Sequence, residues 1–371
     1  MIELRGITWS HTRGFLPMVA TAQRFAETHP GVSIVWELRS LQDFADVPVE
    51  ELARRFDLLV IDHPSVGAAH GELLPLDEHL PAAFLEDQAE NSVGQSHASY
   101  QYGGHQWALA IDVATPVCGY RADLLERQKL QPPGTWDGLM ELAHRGLVAL
   151  AGIPIDSLCH FYMLCVAAGE EPPDVSEATG VKALEMLRAL MHAATPGCEK
   201  RNPIAVWELL TTSNSVAYCP FAYGYSNYGR ASYSKHPLSY GPLAGITEGR
   251  PFRSTLGGAG LAIAAHCRHR AIAVEYAEFV ASPWCQAGLY FESGGQPGHR
   301  AAWKDPALNQ TSNGFFRDTL TTLDEAWLRP RFPGYLEFQA KAGLALHDYL
   351  WRQGDAAATV ARIKSMLPES R

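Results

Sequence analysis

Apolar and polar positions follow one another in a regular succession over the first sixty residues. Leu4-Arg-Gly-Ile7-Thr-Trp9 reads as a strand that opens into the polar loop Ser10-His11-Thr12-Arg13-Gly14. Leu16, Val19, Ala20, Phe25 and Ala26 then recur at near-helical spacing and stop at His29-Pro30-Gly31. Residues 32–38 alternate as a second strand, 49–56 make a short helix, and 56–61 are a third, nearly all-apolar strand. Strand, helix, strand, helix, strand predicts a parallel α/β sheet. Ligands gather beyond the carboxyl ends of such strands, which directs attention to His11, Arg13, Asp62 and His63.

The central stretch Tyr102-Gly-Gly-His-Gln-Trp107-Ala-Leu-Ala-Ile-Asp112 predicts a glycine turn, a strand buried on both faces, and an end at the charge of Asp112. Beyond it, 116–120 read as a new strand, and Thr135 as the cap of a helix that begins at Trp136. Residues 147–151 are a strand candidate. Residues 155–169 form a helix capped by Asp156 or Ser157 and stopped at Gly169. Val181, Leu184, Leu187, Leu190 and Met191 mark an amphipathic helix. A glycine turn at 257–260 enters another buried strand, 271–281 and 284–291 are helical, and the chain beyond Phe315 is mostly helical with breaks near Pro330 and Pro333.

Length adds that this is more than one ordinary core: 371 residues fit two domains. A net charge of −10 argues against nucleic acid, which demands a basic face. The seven cysteines are scattered without a CxxC pair, so buried free thiols in a reducing compartment are expected. The N-terminus shows no basic start followed by an apolar run, which makes a cytoplasmic location a serious expectation. No G-x-S-x-G, HExxH or Walker loop occurs, so neither an enzyme, a cofactor nor a metal is expected.

Several ordered segments resemble one family. They include Ala22-Gln-Arg-Phe-Ala-Glu-Thr-His-Pro-Gly-Val32, Phe56-Asp-Leu-Leu-Val-Ile-Asp62, Gly71-Glu-Leu-Leu-Pro-Leu-Asp77, Tyr102-Gly-Gly-His-Gln-Trp-Ala-Leu, Pro133-Gly-Thr-Trp-Asp137, Gly257-Gly-Ala-Gly-Leu-Ala-Ile263 and Gly294-Gly-Gln-Pro-Gly298. In order and spacing they are similar to the extracellular solute-binding proteins of ABC transporters, the group that contains the maltose- and other sugar-binding proteins. The resemblance implies an α/β, two-lobed periplasmic-binding-protein fold of type II with a hinge between the lobes. Lobe one would comprise 1–112 with 250–310, and lobe two 113–249 with 311–371. It further implies a monomer that holds a small polar organic ligand, a sugar or a small organic acid, in an interlobe cleft. Its location would be periplasmic and its partners the membrane subunits of a transporter; the alternative is a cytoplasmic ligand-binding or sensor protein, or a metabolic enzyme, on the same fold.

The candidate ligand contacts follow from loop position and chemistry. Trp9, His11 and Arg13 form a first patch, where Arg13 either forks onto an anion or is a solvated loop charge. The resemblance implies ligand contacts in the loop after the third strand, so one of Asp62 and His63 is expected to touch ligand. Asp112 is read as ligand contact or hinge hydrogen bond. Asp156 and His160, one turn apart, share a helix face, with capping an equal reading for Asp156. In the stretch Tyr218-Cys-Pro-Phe-Ala-Tyr223-Gly-Tyr225-Ser-Asn227, Tyr223 and Tyr225 are expected to face the cleft and Asn227 to hydrogen-bond. Gly258 either lets backbone approach a ligand or makes a tight hinge turn.

Overall fold

The structure is a computed structural model that describes residues 1–352 and 354–368. Its chain contacts divide it into two compact units: unit 1 is Met1–Ala114, Leu256–Asn309 and Leu328–Leu336, and unit 2 is Thr115–Thr255, Gln310–Trp327 and Glu337–Arg371. The bounds implied by the resemblance, 1–112 with 250–310, differ by one or two residues at 113–114 and 310 and more widely at two places. Residues 250–255 belong to unit 2, and residues 328–336 return to unit 1, a return no local pattern predicted.

Unit 1 is built on a five-stranded sheet of order β2-β1-β3-β10-β6. Its strands are β1 (Ile2–Trp9), β2 (Val32–Arg39), β3 (Leu58–Ile61), β6 (Ala108–Ala114) and β10 (Gly257–Ile263). Both faces are covered, which is why the inner strands read as unbroken apolar runs rather than as alternation. Leu58, Val60, Leu109, Ile111, Leu261 and Ile263 go to the face that also holds Met18, Phe25 and Val280. Leu59, Ile61, Ala108, Ala110 and Ala262 go to the opposite face, with Phe56, Tyr100 and Trp107.

Helix α1 (Thr12–Thr28) starts a turn before the apolar pattern does, because the His11 side chain caps it: Nδ1 accepts the Arg13 N–H at 3.0 Å. The polar loop after β1 is therefore shorter than expected, and Arg13 lies in a first helical turn. Strand β6 also runs past the expected end at Asp112 to Ala114, since the charge of Asp112 is paired inside the sheet edge. A separate hairpin, β4 (Gln101–Tyr102) with β5 (His105–Gln106), turns at Gly103 and Gly104, whose φ values of 58° and 89° are those glycine tolerates. A short helix α2 (Leu41–Asp46), held by a Ser40–Asp43 capping box, was not foreseen.

Unit 2 contains a three-stranded antiparallel sheet of order β8-β7-β9, made of β7 (Pro116–Tyr120), β8 (Tyr218–Tyr223) and β9 (Ser239–Gly241). Pro116 is tolerated as the first residue of β7. Residues 147–151 do not form the expected strand: Val148 to Ala151 are buried, but only Val148 makes an isolated bridge, to Tyr218. The helix that follows begins at Pro154, with proline in the first turn and Ile153 before it, so neither Asp156 nor Ser157 is its cap. All seven cysteines are buried and free. No described helix is long and apolar enough to cross a membrane.

Candidate ligand-binding site

Strands β1, β2 and β3 are parallel, while β10 is antiparallel to both β3 and β6. The carboxyl ends of β1, β2, β3 and β6 therefore share one edge with the amino end of β10. That edge collects Trp9, His11, Arg13, Asp62, His63, Asp112 and Gly258, all seven unit 1 candidates. It also collects residues the sequence reading missed, Arg39 and Arg329.

One buried and one half-buried ion pair frame this edge. The Arg13 guanidinium forks onto Asp112, with Nε 2.7 Å from Oδ2 and Nη2 on Oδ1. The fork is thus spent inside the protein, and the expectation of Arg13 as a free anion hook or a solvated loop charge is corrected. Burial lifts the Asp112 carboxyl above its usual range, and the Arg13 charge opposes that lift. Asp112 also bridges Pro297, and Gln296 donates to the Val113 carbonyl at 2.7 Å. In the second pair, Arg329 Nη2 lies 2.8 Å and 2.7 Å from the two oxygens of Asp62. Burial works against ionisation of Asp62, but Arg329 and His63 outweigh it and hold the carboxyl at about 2.

The remaining groups are less satisfied. His63 is buried, with Nδ1 3.3 Å from Asp62 Oδ1 and its ring edge-on to Tyr100. Burial first, and then the Arg329 charge, lowers its pKa to about 4, so the ring is neutral near pH 7. With Nδ1–H on the carboxylate, Nε2 is left as an acceptor, and it has no partner. Burial and Arg13 likewise lower His11 to about 4.

Trp9 is packed in the core, 4% exposed, against Gly14 and the Phe44 ring at 5.2 Å. Its Nε1–H finds no acceptor. Arg39 is the register partner of Trp9 and lies over the other neighbour of that group, the Phe44 ring, at 4.9 Å. It is 8% exposed, donates from Nη2 to the Val60 carbonyl at 2.7 Å, and leaves Nε and Nη1 unpartnered. Burial lowers its pKa to about 10, with the charge of Asp43 opposing. Among the described residues it has no carboxylate in ion-pair contact. Gly258 has a structural duty here: φ is +119°, and a Cβ would lie 2.4 Å from the Asp112 carbonyl, where β10 bulges against β6.

In unit 2, the helix Pro154–Ala167 packs on β8. The rings of His160 and Phe221 are 4.9 Å apart, and Cys159 Sγ is 3.6 Å from the Tyr223 hydroxyl, which is 3.4 Å from Thr255 Oγ1. Cys219, Phe221 and Tyr223 alternate along β8 and so share one face. Asp156 and His160 are both buried. Burial alone raises Asp156 to about 8 and leaves Oδ2 unpartnered. Burial lowers His160 to about 3, a hydrogen bond to the Phe221 backbone opposing it, and Nδ1 is unpartnered. Tyr225 and Asn227 are 4% and 1% exposed, buried at the short 3-10 turn Ser226–Gly229. Tyr225 packs edge-on to Tyr228 and accepts the Tyr240 hydroxyl on its carbonyl.

Arg39 was legible in principle, because the rule that led to the loops after β1 and β3 applies equally to the end of β2. Arg329 carried no such signal. Among the described residues no group of three histidine, cysteine or carboxylate side chains is placed to hold a metal.

A model of the bacterial extracellular solute-binding protein family matches residues 20–306. Among solved structures, maltose-bound MalE3 of T. maritima superposes with a TM-score of 0.87 over 99% of both chains, at 19% identity. A ribitol-bound ABC transporter solute-binding protein of Agrobacterium radiobacter superposes at 0.82, with 20% identity, over 98% of this chain and 97% of that one. UgpB of Mycobacterium tuberculosis in complex with glycerophosphocholine superposes at 0.77, with 19% identity, over 97% of this chain and 96% of that one. These likenesses establish a shared α/β fold across nearly the full length. With the family model spanning most of the sequence, the chain belongs to the bacterial extracellular solute-binding proteins.

Proposed function

We propose that the chain is the solute-binding component of an ABC importer and holds a small, hydroxyl-rich molecule, a sugar or polyol, at the carboxyl edge of the unit 1 sheet. One observation carries this reading. At the edge, Arg39 Nε and Nη1 are donors and His63 Nε2 an acceptor without a hydrogen-bond partner inside the protein. A hydroxyl group both accepts and donates, so a polyol answers all of them at once. Buried polar groups left without a partner cost about 1–3 kcal/mol each, which a fitting ligand recovers. Related solved structures bound to maltose, ribitol, tagatose and mannitol support the same class. Within unit 2 taken by itself, Asp156, His160, Tyr223, Tyr225 and Asn227 are proposed as that unit's own polar and aromatic contacts for a small molecule.

A second reading, a small organic acid or sugar acid, is favoured by Arg39 alone. The edge holds three arginines, of which Arg13 and Arg329 are paired with carboxylates and Arg39 is not.

A thermal-shift screen over neutral sugars, polyols and their acids decides between the two. A true ligand at a hundred times its Kd adds about 2.7 kcal/mol of stability. Arg39→Gln should weaken it at least tenfold, and unchanged affinity would remove the edge as the site. Fractionation of native cells tests the transport role: the protein should lie outside the cytoplasmic membrane, and recovery in the cytosol alone would overturn it.

A further inference from the structure

The opposite edge of unit 1 holds a separate pocket of about 470 Å3. It lies where β5 leads into the amino end of β6, whereas Arg13 and the ligand-facing groups sit at the carboxyl end. Asp77, His97, Tyr102, His105, Gln106 and Arg331 line it around the Gly103–Gly104 turn. Its volume is in the range of small-molecule sites, roughly 300–1,000 Å3.

The polar groups of this pocket do not balance internally. Gln106 is 3% exposed, and its Nε2 donates to the carbonyls of His97 and Ala108 at 3.1 Å and 2.7 Å. Those bonds fix the amide orientation and leave Oε1 a buried acceptor with no donor. His97 is 6% exposed, burial lowers its pKa, and Nδ1 has no partner. Arg331 spends Nη1 alone, on the carbonyls of Ala98, Ser99 and Gln101 at 2.7, 3.1 and 2.7 Å. Asp77 takes the Gln106 N–H at 2.8 Å and His105 Nδ1 at 3.0 Å, with Glu78 3.8 Å from the same imidazole nitrogen. The permanent charges on the lining are thus one guanidinium and one carboxylate, with no ion pair between them among the described residues.

We propose that this pocket is a second ligand site, for a small zwitterion of the α-amino-acid class. The ligand carboxylate takes the Arg331 guanidinium, and its ammonium donates to Gln106 Oε1 and Asp77, beside the Tyr102 ring. Opposite fixed charges on one small pocket match a ligand that carries both and is neutral overall. A simple anion would leave Gln106 Oε1 without a donor, and a simple cation would leave the Arg331 charge without a counter-charge.

Isothermal titration of the full chain with glycine, alanine and glutamate tests this, with acetate and methylamine as half-ligands. Saturable binding of at least one amino acid is expected below about 1 mM. Asp77→Asn keeps an acceptor for the Gln106 N–H and so keeps the fold, and it should weaken that binding about tenfold or more. Arg331→Gln should do the same, with circular dichroism melts to separate unfolding from lost recognition; should it unfold, Asp77→Asn decides alone. Arg39→Gln, at the other edge, should leave amino-acid affinity unchanged. No saturable heat at about 10 mM, half-ligands bound as tightly as the amino acid, full affinity in Asp77→Asn, or loss of affinity in Arg39→Gln would each overturn the proposal.

Discussion

The carboxyl edge of unit 1 and the helix–β8 face of unit 2 both bury ionisable side chains, and they solve the problem differently. At the edge, Asp112 and Asp62 each accept from an arginine within hydrogen-bond reach, whose charge opposes the effect of burial. On the unit 2 face, Asp156 and His160 have no counter-charge in contact, and burial shifts both toward their neutral forms. The first region is a paired electrostatic frame, rigid and costly to break. The second is a set of neutral polar groups whose hydrogen-bonding capacity is open, at the expense of pH sensitivity.

Breaking one partner of the frame should give the largest effect. Asp112→Ala strands a buried guanidinium and should destabilise by about 3–5 kcal/mol in denaturant unfolding. Replacing both members together, Arg13→Met with Asp112→Leu, should recover most of that loss, because the cost lies in the unpaired charge. A double variant as unstable as the single one would show that the pair stabilises the edge outright.

Gly258→Ala should follow, at about 2 kcal/mol, since it forces a side chain into a left-handed backbone and against the Asp112 carbonyl. Its measured loss should disappear neither at high salt nor at altered pH, unlike losses that come from charge.

The smallest effect sharpens the contrast by pH. Folded Asp156 keeps its proton up to about 8, whereas the unfolded group loses it above about 4, so its contribution falls as pH rises through that window. His63 and His160 stay neutral in the fold down to about 4 and about 3, while the unfolded rings take protons below about 6.5. Their contribution is lost as pH drops below about 6.5. Stability should therefore peak near pH 6.5, and fall by on the order of 1–2 kcal/mol by pH 8. Asp156→Asn should flatten that alkaline limb and leave the acid limb in place, as read from melts across a pH series. An unchanged alkaline limb would place the titration elsewhere.

Much of unit 1 was legible before any coordinates. The apolar runs at β3, β6 and β10 announced strands covered on both faces, and the glycines at 103 and 104 announced the hairpin turn. The rule that ligand groups follow strand ends drew out His11, Asp62 and His63. The misses have local causes as well. A histidine cap hid the true start of α1, and a proline in the first turn displaced the expected cap from Asp156. Tyr225 and Asn227 are expected at the ligand by composition, and the structure buries both at a short 3-10 turn. Aromatic content alone does not say which side of a turn faces inward.

By itself, then, the sequence determined the element types, the parallel α/β character of unit 1 and the residues available at its strand ends. These depend on periodicity and turn chemistry, which act over a few residues. Only the tertiary structure decided which charges are spent and which are open. Arg13 meets Asp112 across 99 residues and Arg329 meets Asp62 across 267, and no local pattern encodes a partner at that distance. Arg39 ends beside those pairs with no carboxylate in ion-pair contact among the described residues, a fact of the folded chain alone.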